Sequence, residues 1–114
     1  MDLMQEMLQK QNELDLSIKQ LRHTGTAYAQ AERDYKIALR TEAMKLRDSG
    51  MAIGMIDKTI YGVPTIAELR FKRDVAEAVY RANQEAINSI KLILRLLDSQ
   101  ISREYGNPRL GVGS

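Results

Sequence analysis

From Thr65 to Tyr105 the chain contains no proline or glycine, and a seam recurs there in steps of three and four: Ala76, Tyr80, Asn83, Ile87, Ile90, Leu94, Leu97 and Ile101. Heptad spacing of this kind keeps one stripe on one side of a helix. A long amphipathic helix is marginal alone, so the stripe requires a partner helix. The stretch from Asp2 to about Arg47 carries a second seam: Met4, Met7, Gln11, Leu14, Ile18, Leu21, Gly25, Tyr28, Tyr35 and Leu39. Its spacing holds from Met4 to Tyr28 and then drifts, with Ala31, Ala38 and Leu46 joining. Gln11 and Asn83 are polar members of the two seams; such residues trade stability for a defined register and oligomer state, and a place at the interface edge with no such role is the equal alternative.

Three punctuation points divide the chain. Asp48-Ser49-Gly50 reads as a helix stop, with Gly50 as the left-handed residue beyond the end. Ile53, Ile56 and Ile60 then recur at helical spacing in a short segment that Gly62 closes. Val63-Pro64 is an extended link, and Thr65 with Glu68 fits a capping box opening the last helix. Gly25 is the weak point of the first helix, since glycine inside a helix costs about 1 kcal/mol relative to alanine. A break there and a continuous helix that lets a neighbour approach closely both remain open; the seam keeps its phase across the glycine, which favours continuity.

These elements predict an all-α fold: a long antiparallel helical hairpin, coiled-coil-like, with helices at about 2–47 and 65–105 and a short connecting helix at about 52–61. One domain over 1–106 and a flexible tail over 107–114 complete the expectation. Leu3, Leu8, Leu16 and Ile37 on the first helix, and Val75, Val79, Ala86, Leu92, Ile93 and Leu96 on the last, fall off the seams. That surplus exceeds what one hairpin can cover and predicts a second interface, with a homodimer forming a four-helix bundle favoured. The seam residues expected to carry the helix and oligomer contacts are Met4, Met7, Leu14, Ile18, Leu21, Tyr28, Tyr80, Ile87, Ile90, Leu94, Leu97 and Ile101.

Composition narrows the chemistry. The chain has 114 residues, no cysteine and no tryptophan, which excludes disulfides, thiol nucleophiles and cysteine metal sites. Its amino terminus lacks the basic and apolar regions of a signal peptide, and no apolar run approaches a membrane span, so a cytoplasmic location is the expectation. The single histidine, His23, has no carboxylate cluster in sequence, and no nucleotide loop or nucleophile elbow is present. No enzyme activity, cofactor or metal is expected. The tyrosines fall mostly on the seams, where packing explains them better than base stacking.

Net charge is only +2, but residues 33–81 carry ten basic and seven acidic side chains. Arg40, Lys45, Arg47, Lys58, Arg70, Lys72 and Arg73, with Arg33 and Lys36, gather toward the connected end of the hairpin and are the candidate anion or partner-binding set. The stretch Leu46–Arg73 has the outline of a helix-turn-helix, though Asp57 and Lys58 stand where small residues are usual and Val63-Pro64 lengthens the turn. A helical cap closing the hairpin is the favoured reading; a nucleic-acid-binding accessory protein using this basic end is the alternative, and a small anionic ligand held between protomers a third.

The words LRDSGM and AELRFKRDVAEAVYRANQEAINSIKLILRLLDSQISREYG resemble a family of small helical proteins of tailed phages and prophages of Gram-positive bacteria, over roughly residues 28–106 and most closely over Ala67–Gly106. The family offers no catalytic residues to carry over. The resemblance implies a phage-encoded accessory protein, expressed with replication or recombination genes or acting against host defence by binding a host protein.

Overall fold

The computed structural model describes residues 2–106; the expected tail over 107–114 lies outside them. Three helices and a 3-10 turn make up the chain: α1 (Leu3–Asp48), α2 (Ile53–Thr59), the 3-10 turn (Ile60–Gly62) and α3 (Pro64–Glu104). The described residues contain no strand. α1 and α3 pack against each other, so the fold is an all-α helical hairpin.

The helix ends follow from local hydrogen bonding. At the start of α1, Asp2 Oδ1 accepts from the Gln5 amide at 2.8 Å and Gln5 Oε1 accepts from the Asp2 amide at 3.2 Å, a reciprocal capping box. At its end Gly50 takes φ 93°. The Gly50 amide donates to the Arg47 carbonyl at 3.0 Å and the Met51 amide to the Leu46 carbonyl at 3.1 Å. This pair of bonds is a Schellman motif, which needs a residue tolerant of positive φ. α1 runs unbroken through Gly25.

The start of α3 departs from expectation. Val63 is extended, and its carbonyl accepts from the Ala67 amide at 2.9 Å, so the helix begins at Pro64 rather than at a Thr65 cap. Proline suits the first helical position because it has no N–H to leave unsatisfied. With Thr65 already inside the helix, no Thr65–Glu68 capping pair forms.

The residues group into two compact units. The first, His23–Arg81, holds the principal core: Tyr35, Ile56, Ile60 and Ile66 are buried, and Leu39, Leu46, Met51, Val63 and Leu69 pack around them. α2 and the 3-10 turn supply Ile56 and Ile60, so the short connection is a plug that fills the space between the two long helices. The pairings Gly25 with Tyr80, Tyr28 with Glu77 and Glu32 with Arg73 run in opposite directions along the two helices, which makes them antiparallel in this unit.

The second unit comprises residues 2–22 and 82–106. Only Asn83, Ile87 and Leu97 are buried in it. Met7, Leu14, Leu21, Ile90, Leu94 and Ile101 are half-buried. Here the predicted α1 seam needs correction. Met4 and Ile18 are 49% and 48% exposed, and Gln11 is exposed too, whereas Leu3, Lys10 and Ser17 are half-buried. The inward rows are therefore Met7, Leu14, Leu21 and Leu3, Lys10, Ser17, the latter each one residue before the exposed Met4, Gln11 and Ile18. Asn83 explains part of the choice: its Nδ2 donates to the Ser17 carbonyl at 3.0 Å, an approach that a small residue at position 17 permits.

Candidate interaction surfaces

The capped unit places the predicted basic residues in different environments. Arg73 is turned inward, with its side chain 22% exposed, paired to Asp74 at 2.8 Å and to Glu32 at 3.8 Å. Its guanidinium also lies 4.7 Å from the centre of the Tyr35 ring, a cation–π contact over the core. The hydrogen bond to Asp74 is the main reason its pKa stands above the ordinary arginine range, against the opposing effect of burial. Arg70 lies 5.4 Å over the Tyr61 ring. Each of these two arginines lies over one face of an aromatic ring. Lys72 is exposed, as are Lys45 near the end of α1 and Lys58 in the last turn of α2. Basic side chains at helix C-termini oppose the helix dipole favourably.

Arg40 and Arg47 are brought together on a groove between the last turns of α1 and the α2 plug. Two adjoining cavities, ≈ 550 Å³ and ≈ 420 Å³, share Arg40, Ala43, Ile56 and Asp57. The first also reaches Lys36, Ile37 and Tyr61, and the second Met44, Arg47 and Ile53. Ile37, Met44 and Ile53 are exposed at 59%, 58% and 74%. Neither Arg40 nor Arg47 has an ion-pair partner among the described residues, while Lys36 pairs with Glu32 at 3.3 Å from a largely exposed position. The groove thus has an apolar lining and a basic edge, with Asp57 as its one carboxylate. Ile37 with Met44, and Arg40 with Arg47, are each seven residues apart and recur on one side of α1, a spacing present in the sequence.

α3 carries a second stripe apart from its buried seam. Positions 75, 79, 82, 86, 89, 93 and 96 continue the steps of three and four and hold Val, Val, Ala, Ala, Ser, Ile and Leu. All are exposed; Val75 and Val79 belong to the capped unit at 45% and 50%, Ile93 and Leu96 to the two-helix unit at 36% and 61%. A helix with one seam spent inside its own chain and another of the same period facing outward has a repeating surface for a further helix.

The polar contacts serve packing. Tyr28 Oη donates to Glu77 Oε2 at 2.6 Å, and the Tyr28 and Tyr80 rings lie 5.9 Å apart at a 33° tilt. A Cβ on Gly25 would meet Tyr80 Cε1 at 3.1 Å, so the bare glycine makes room for that ring. His23 is exposed, and the described residues hold no cluster of histidine and carboxylates that could bind a metal ion. No helix among them is long and apolar enough to cross a membrane.

Compared with known proteins, the chain matches no family model, no curated protein and no solved structure.

Proposed function

We propose that this chain is a non-enzymatic accessory protein that works by self-association and by binding another protein. The observation that carries this reading is the exposed stripe of α3, with Val75, Val79, Ala82, Ala86, Ile93 and Leu96 at heptad spacing. Apolar side chains repeating at that interval on a helix already packed on its other side lose water contact when a second hairpin lies along them. A dimer arranged as a four-helix bundle is the simplest assembly, and a specific dimer needs about 800 Å² of surface from each partner. In the setting that the phage resemblance implies, the protein partner is a replication, recombination or defence factor.

Sedimentation equilibrium tests the self-association. The wild-type chain is expected to sediment as an oligomer, dimer favoured. Val79→Glu with Ile93→Glu should shift it to monomer while circular dichroism retains the helical signal. A chain that stays monomeric at high concentration overturns the reading.

A further inference from the structure

We propose that the groove between α1 and the α2 plug is a docking site for a short acidic, amphipathic segment of a partner protein. The site goes beyond the α3 stripe and uses other residues. Its lining explains the apolar half of the ligand: Ile37, Met44 and Ile53 stand exposed over a floor that includes Ile56, which belongs to the core. Apolar groups exposed over a floor that is part of the core are placed as anchoring pockets for side chains spaced along a helix or an extended peptide.

The edge explains the charged half. Lys36, Arg40 and Arg47 line the groove against the single carboxylate of Asp57. Arg40 and Arg47 are without ion-pair partners among the described residues, in contrast to Arg73 of the same unit, which is paired to Glu32 and Asp74. Guanidinium groups left open beside an apolar trough match carboxylates flanking apolar anchors. A nucleic acid fits less well. A phosphate backbone would leave the exposed Ile37, Met44 and Ile53 of the lining without apolar partners.

Selection from a displayed library of random peptides on the immobilised full-length protein tests the site. Enriched peptides should combine Asp and Glu with two or three large apolar residues. Synthesised and labelled, they should bind by fluorescence anisotropy, more weakly as salt rises. Arg40→Glu with Arg47→Glu should weaken them by about tenfold or more, as reversing charges at an interface edge does. Ile37→Asp should weaken them as well, and Lys72→Glu, outside the groove, should leave them unchanged. Circular dichroism of each variant separates lost binding from lost folding. Selection of nothing, selection of peptides without an acidic excess, or equal binding to the charge-reversed variant overturns the proposal. So does displacement of the selected peptide by a duplex oligonucleotide, which would make the groove a polyanion site. A change in sedimentation of the charge-reversed variant, with no peptide selected, would make it an interface between copies and overturn the proposal too.

Discussion

The capped unit and the two-helix unit are built from the same two helices, yet they hold together differently. In His23–Arg81 a third element enters: Ile56 and Ile60 fill the space between α1 and α3, and Ile66 is 1% exposed. In residues 2–22 with 82–106 nothing fills that role. Two helices alone can bury one stripe each, so the strongest burial there is 7–9%, at Ile87, Leu97 and Asn83. The seam of that unit also includes a lysine and a serine on the α1 side. A short plug of seven residues and a turn therefore changes a pair of helices into a core. The two-helix unit has instead the outward residues Leu92, Ile93 and Leu96, which a second hairpin would cover under the proposed self-association.

The largest expected effect sharpens this contrast. Ile66→Ala should destabilise by about 2–5 kcal/mol, the usual range for emptying a fully enclosed site that cannot collapse. Ile87→Ala should fall at or below the bottom of that range, because its surroundings are only half-buried and can relax. Chemical denaturation of both variants, read by circular dichroism, gives the two values. Equal losses would mean that the two-helix unit packs as tightly as the capped one, and the comparison would fail.

Gly25 tests the capped unit from its other end. Alanine there gains about 1 kcal/mol of helix propensity but sets a Cβ 3.1 Å from the Tyr80 ring, so Gly25→Ala should come out near neutral. Leucine cannot be accommodated by a small shift of the ring. Gly25→Leu should cost about 1–3 kcal/mol through overpacking. Thermal denaturation distinguishes them, and a stabilising leucine would show that the close approach of Tyr80 is dispensable.

How much of this was legible in the sequence depends on which side chains carried the signal. The α3 seam was readable because Ile87, Ile90, Leu94, Leu97 and Ile101 follow one another at heptad spacing, and the Gly50 stop because only a positive-φ position demands that residue. The fold class followed from these and from the length of the two periodic stretches. The α1 seam was misplaced because its inward face includes Lys10 and Ser17, while the larger apolar Ile18 stands one position after the serine and faces out. A helix chooses its buried face by fit to its partner, and Asn83 reaching the Ser17 carbonyl is a tertiary fact that no periodicity shows. The capping box at Thr65 failed for a different reason: two valid start signals overlap, and Pro64 at the first position prevailed. The basic cluster was legible as charge but not as geometry, since only packing separates Arg73 over Tyr35 from Arg40 at the groove.

Asn83 sharpens the comparison from the polar side. It is 9% exposed and donates to Ser17, so Asn83→Ala removes a buried hydrogen bond and some volume and should cost about 1–2 kcal/mol. Asn83→Leu should recover that stability, because the Ser17 carbonyl lies within α1 and has a helical partner, while loosening the specificity of helix pairing. Sedimentation of the leucine variant should then show a mixture of species. A leucine variant as uniform as the wild type would remove any register role for the asparagine.

The smallest effect concerns pH and belongs to the capped unit alone. Tyr28 has its pKa raised above the ordinary tyrosine value, first because its hydroxyl donates to Glu77, then through desolvation and the charge of Glu77. A phenol must keep its proton to make that bond, so the folded state holds the proton more tightly than the unfolded one. The stability this contributes is therefore complete below the ordinary value of about 10 and is lost as pH rises from there through the folded pKa. Tyr28→Phe lacks both the bond and the titration. The melting temperatures of wild type and variant should accordingly differ most at neutral pH and converge over the interval above about pH 10. Parallel curves across that interval would mean that the Tyr28–Glu77 bond contributes nothing to folding, and the tie between α1 and α3 at this point would rest on the Tyr28–Tyr80 contact and the space at Gly25.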